Sequence, residues 1–117
     1  MSAATGWERL RRSADIQRVL RTGMRQTQGR VVLYVLPGEL GARVAFVCSR
    51  RIGNAVARNR ARRLMREAWR ALAPGIQGGF DIVFVARPDI EGARMGDVLA
   101  DVTAALARAS VIGRWSS

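Results

Sequence analysis

Lysine and histidine are both absent from the 117 residues, so all 20 basic side chains are arginine. Histidine is the usual proton carrier near neutral pH, and lysine is the amine whose pKa falls readily on burial. Arginine stays charged throughout. General-base chemistry would fall to nine carboxylates, which are scattered, with no D-x-D or E-x-x-H pair. No catalytic residue is expected on this chain, and an autonomous nuclease is disfavoured. Cys48 is the only cysteine, which excludes an intrachain disulfide and a thiolate metal cluster. No metal site is expected on the protein, and the cysteine usage fits a reducing compartment. No apolar run approaches the ~20 residues that cross a bilayer. The opening MSAATGWERLRR lacks the apolar segment of a secretory signal. The expected location is cytoplasmic, with no membrane partner.

What is present is charge of one sign. The net charge is +11 and the pI about 11.8, which calls for a polyanionic partner. Residues 1–73 hold sixteen arginines against Glu8, Asp15, Glu39 and Glu67; residues 74–117 hold four arginines against five acids. The partner surface is therefore expected in the first two thirds. Abundant Ala, Arg, Gly and Val is also what GC-rich coding produces, but coding bias does not account for clustering. Eight arginines lie between Arg50 and Arg70, in RRIGNAVARNRARRLMREAWR.

The length fits one domain over residues 1–117, with 1–8 and 113–117 as expected flexible tails. Ser13 is placed to cap a helix over 14–22, with Asp15 in its first turn and Gly23 as its stop. VVLYVL (31–36) and RVAFVC (43–48) read as a hairpin around Pro37-Gly38. A helix is expected from Asn54 or Val56 to Ala73, ended by Pro74-Gly75. FDIVFVA (80–86) reads as a buried strand. Val98, Leu99, Val102, Ala105, Leu106 and Ala109 mark the core face of a last helix. The order is α-β-β-α-β-α, with room for a short extra strand near Met24–Gln28. This is an α/β (α+β) two-layer sandwich of helices on a small sheet.

At about 100° per residue, Arg62, Arg66, Arg70 and Arg63 fall within roughly 140° of Arg58, and Asn59 shares that arc. Ala57, Ala61, Leu64, Met65, Ala68, Ala71 and Leu72 take the opposite arc, with Trp69 at the seam. Arg60 stands off the ridge and is expected to meet a second surface. A plain solvated helix face is the competing reading. It is disfavoured because Glu67 is the only acid on hand to pair, with Arg63 or Arg70. Arg58 and Arg60 also occupy the first turns, where the helix dipole favours negative charge. A phosphate bound there would relieve both strains. The guanidinium fork suits phosphate and stacks on bases. No helix-turn-helix spacing accompanies it, which favours RNA or single strands over DNA.

The stretch from Arg50 to Arg70 resembles the signature of the protein subunit of bacterial ribonuclease P: a basic pair, I-G-N-A-V, one residue, R-N-R, further basic residues, then R-E. RLRRSADIQRVLRTG, VVLYVL, RVAFVCSR and FDIVFVAR extend the likeness over nearly the whole chain. The resemblance implies an αβββαβα order with a mixed sheet and a left-handed βαβ crossover, against the general right-handed rule. It implies a protein that binds a large catalytic RNA and the 5′ leader of precursor tRNA, in an endonuclease whose Mg²⁺ is held mainly by RNA. Arg51, Arg58, Asn59, Arg60, Arg62, Arg63, Arg66 and Arg70 are then the expected RNA-binding residues. Ile16, Leu20 and Tyr34 match a cleft for the single-stranded leader. Many relatives carry Phe at the first two positions, so leader stacking here would lean on Tyr34. The composition alone fits a structural RNA-binding protein of ribosomal type equally well; the signature separates the two.

Overall fold

The computed structural model describes residues 7–38, 41–76 and 78–109. Its elements are β1 (Trp7–Arg9), α1 (Ser13–Thr22), β2 (Met24–Gln28), β3 (Val31–Pro37), β4 (Ala42–Val47), α2 (Ala55–Leu72), β5 (Phe80–Ala86) and α3 (Met95–Arg108). One five-stranded mixed sheet runs in the order β1-β4-β5-β3-β2. The hairpin expected of 31–36 and 43–48 does not form: β5 inserts between the two strands, antiparallel to β3 and parallel to β4, a long-range pairing that outcompetes the local turn at Pro37-Gly38. The extra strand anticipated near Met24 is β2, antiparallel to β3.

Two expectations at the N-terminal end need correction. Residues 7 and 8 are not tail but part of β1, which pairs in parallel with β4 from Trp7↔Ala42 to Arg9↔Val44. Ser13 is the first helical residue rather than the cap; Arg12 holds the cap position and provides no side-chain hydrogen bond. Both differences trace to Leu10. Its N–H donates to Val44 O at 2.8 Å and its side chain is buried, so the chain turns into α1 directly after β1. Pairing of a three-residue strand with a partner more than thirty positions away leaves no periodicity to read. The expected tail over 113–117 lies outside the described residues.

Alternation along the strands sends side chains to opposite faces. Leu33, Val35, Val44, Ile82 and Phe84 meet α2 and α3 in the main core. Ala45 and Val83 meet Leu10 and Val19 on the other face, where α1 lies. Gly23 lets α1 end tightly against β3, since a Cβ there would sit 2.6 Å from Val19 O and 3.0 Å from Val35 O. Trp69, expected at the seam of α2, is fully buried, with its ring 5.9 Å edge-on from Trp7 of β1. Ala71, expected in the apolar arc, is exposed.

The handedness of the β4-α2-β5 connection follows from one hydrogen bond. Phe80 N–H donates to Gly41 O at 3.3 Å, so even-numbered residues of β5 turn their main-chain groups toward β4. The side chains of Ile82 and Phe84 point to the face covered by α2. For L-residues, a viewer on the α2 side with β5 pointing up then sees β4 on the right. The chain passes from β4 through α2, toward the viewer, to a parallel β5 on the left. The crossover is left-handed, the uncommon hand.

Candidate nucleic-acid interface

Half of the signature is a structural device that aims the other half. Ser49 Oγ accepts from the Arg51 N–H and caps a 3-10 turn over Arg50–Ile52. Ile52 is buried and anchors that turn in the core. Gly53 follows with φ +120°, a conformation L side chains rarely adopt. Asn54 then caps α2, its Oδ1 accepting from Ala57 N at 2.9 Å. Arg58 folds back and donates to Gly53 O at 2.6 Å, bracing the entry to the helix.

The guanidinium ridge divides between two flanks of α2. Arg62 and Arg66 line a cleft of about 430 Å³ together with Ile16 of α1, residues 45–47 of β4, and Arg9 to Arg11 at the exit of β1. Arg62 also donates to Asn59 Oδ1 at 2.8 Å. On the other flank Val56, Asn59, Arg60, Arg63 and again Arg66 border a shallower hollow of about 500 Å³. Val56 is 75% exposed there. Arg60, expected to stand apart, donates to Ala93 O at 2.7 Å and ties α2 to the turn before α3. Arg51 and Arg70 are exposed and line neither hollow.

Glu67, expected to pair with Arg63 or Arg70, is exposed, and among the described residues it forms no ion pair. The ion pairs lie elsewhere: Arg43 and Arg18 on Asp81, Arg43 near Asp15, and Arg30 on Asp101. The ridge thus keeps its charge uncompensated, as a phosphate-binding face requires and a stability-optimised helix would not.

Ile16, Leu20 and Tyr34 are half-buried and pack around Leu10, Val19, Ala45 and Val83 on the α1 face. Ile16 reaches the cleft floor beside Arg62 and Arg66; Leu20 and Tyr34 do not line that cleft. Phe46 reaches it without having been anticipated, its ring stacked parallel on Phe84 at 5.9 Å. Cys48 follows β4 and is half-buried. Burial holds its thiol above its ordinary pKa, while the charges of Arg62 and Arg58 pull the other way. Among the described residues no three of His, Cys, Asp and Glu come together, and the cleft is lined by cations and apolar groups. That donor set does not fit direct Mg²⁺ binding.

Fold and site define an α+β domain with a left-handed crossover whose crossing helix carries a guanidinium face beside an apolar-floored cleft. The ribonuclease P family matches residues 6–110, and the chain belongs to that family. Among curated relatives, the ribonuclease P protein component of Chloroflexus aggregans is 41% identical over 106 residues, covering 89% of this chain and 78% of the relative. That of Pelotomaculum thermopropionicum is 39% identical over 103 residues, covering 87% and 92%. The Staphylococcus aureus RNase P protein superposes with a TM-score of 0.79 at 25% identity, over 89% of this chain and 96% of that one. The Thermotoga maritima protein superposes at 0.77 and 26%, over 86% and 96%. The chain is thus a protein component of a tRNA-processing endoribonuclease.

Proposed function

We propose that this chain binds the catalytic RNA of ribonuclease P and the 5′ leader of precursor tRNA, and so assists removal of the leader to give the mature tRNA 5′ end. The observation that carries the reading is the meeting of Arg62 and Arg66 with Ile16 and Phe46 around one cleft. Phosphates would take the guanidinium wall and unstacked bases the apolar floor. Arg63, Arg60 and Asn59, on the opposite flank of α2, suit the catalytic RNA. One helix then touches two polyanions and lowers the repulsion between them. The hydrolytic groups lie on the RNA. Mg²⁺ bound to RNA supplies the nucleophile-activating and charge-stabilising chemistry, and this chain's role is binding, orientation and charge neutralisation. Action in the cytoplasm, with the RNA it binds, completes the proposal.

The test is reconstitution. Protein added to the catalytic RNA at low Mg²⁺ should accelerate cleavage of leader-bearing precursor tRNA, and protein alone should not cut. Cleavage by the protein alone would transfer the chemistry to this chain.

A further inference from the structure

Beyond the signature helix, the cleft has a second basic wall. β1 ends after pairing Arg9 with Val44, and the chain leaves the sheet through Leu10 and Arg11. Arg9 and Arg11 border the same 430 Å³ cleft as Arg62 and Arg66. Among the described residues none of these four guanidinium groups meets a carboxylate. Four unpaired positive charges around one small cleft repel one another unless an anion occupies it.

The sheet edge supplies an independent second observation. Leu10 N–H donates to Val44 O, so even-numbered residues of β4 turn their main-chain groups toward β1. Phe46, two residues on, faces the same side, where β1 has already ended. Among the described residues its N–H has no backbone partner there. Phe46, half-buried and lining the cleft, therefore brings a main-chain donor without a sheet partner to the edge between the two basic walls. The edge contact between Trp7 and Trp69 holds β1 to α2 and fixes the spacing of the walls.

We propose that Arg9 and Arg11 grip successive phosphates of the single-stranded 5′ leader from the side opposite Arg62 and Arg66, with Phe46 as part of the base-contacting floor. Here β1 is a working part of the leader site rather than an ornament of the fold. The assignment rests on the function proposed above and names residues outside the signature.

The experiment uses the full chain in the reconstituted holoenzyme. Affinities for leader-bearing precursor tRNA and for mature tRNA are measured across a salt series, for wild type, an Arg9→Ala/Arg11→Ala variant and an Arg9→Lys/Arg11→Lys variant. The alanine variant is expected to bind leader-bearing substrate about tenfold more weakly, with a salt slope shallower by ~1.4, the value for two lost single-strand phosphate contacts. Mature tRNA and assembly with the catalytic RNA should be unaffected, and the lysine variant should recover most of the loss. Unchanged leader affinity in the alanine variant would overturn the assignment. So would a loss falling equally on mature tRNA or on assembly, which would place these arginines against the catalytic RNA. A wild-type holoenzyme with no preference for the leader would instead overturn the functional reading beneath it.

Discussion

Arg43 and Asp81 stand directly opposite each other on β4 and β5, and the Arg43 fork donates to both carboxylate oxygens, Nε to Oδ1 at 2.9 Å and Nη2 to Oδ2 at 2.7 Å. Asp81 is the one buried charged residue among those described, at 3% exposure. Arg18 of α1 adds a longer contact at 3.5 Å, and Asp15 of α1 lies 3.9 Å from Arg43. The cluster fastens α1 to the sheet and so sets where Ile16 meets the cleft.

Removing one partner of a buried pair strands the other's charge, which costs more than removing both. Arg43→Ala should destabilise the fold by about 3 kcal/mol in urea denaturation. Arg43→Met combined with Asp81→Leu should lose clearly less. Equal losses would mean that Asp81 finds another partner when Arg43 is gone.

Arg60 and Arg63 are both exposed on α2 but do different work. Arg60→Ala removes a charge-assisted bond to Ala93 O and should lower stability by roughly 1–2 kcal/mol. Arg63→Ala, at an exposed position with no partner among those described, should leave stability within about 0.5 kcal/mol while weakening RNA binding. Thermal melts beside RNA titrations separate the two.

The contrast shows what the sequence could carry. Helical periodicity placed the three helices, the arginine face of α2 and most of its core face, though not buried Trp69 or exposed Ala71, because those signals are local. The motif resemblance supplied the order of elements from α1 onward and the hand of the crossover. What stayed hidden depends on pairing between distant residues. β1 is too short for a pattern, Arg43 and Asp81 meet only across strands, and Phe46 looks like any core strand residue. Trp7, a large apolar side chain in an apparent tail, was the available hint of β1. Asn59 and Arg62 could be placed on one face, but the division of the ridge between two flanks depends on how α1, β1 and β4 pack beside α2.

In the proposed leader site Ile16 occupies the cleft floor, and an aromatic ring at that position would stack on a base. Ile16→Phe should tighten binding of leader-bearing substrate by about 1 kcal/mol, roughly fivefold, without changing mature tRNA binding. Equilibrium binding of the two substrates reads this directly. No gain would show that bases do not reach Ile16.

The Cys48 thiol should alkylate more slowly than an unfolded-chain thiol at pH 8, because burial keeps it protonated. Arg62→Ala removes a charge that favours the thiolate, so the midpoint of the pH–rate profile should move further up. With the folded-state pKa raised, the thiol's contribution to stability is complete below the unfolded pKa and disappears as pH rises through the folded value. A midpoint that falls in Arg62→Ala would contradict the placement of that guanidinium beside Cys48.

The most direct test of the central claim is the rate of precursor-tRNA cleavage by the catalytic RNA at low Mg²⁺, with and without this chain, for wild type and Arg62→Ala. Wild type should raise the rate strongly, and Arg62→Ala should raise it less, with a salt slope of binding shallower by ~0.7. No acceleration by the wild-type chain, or an Arg62→Ala variant indistinguishable from it, would contradict the account of α2 as the RNA-facing helix.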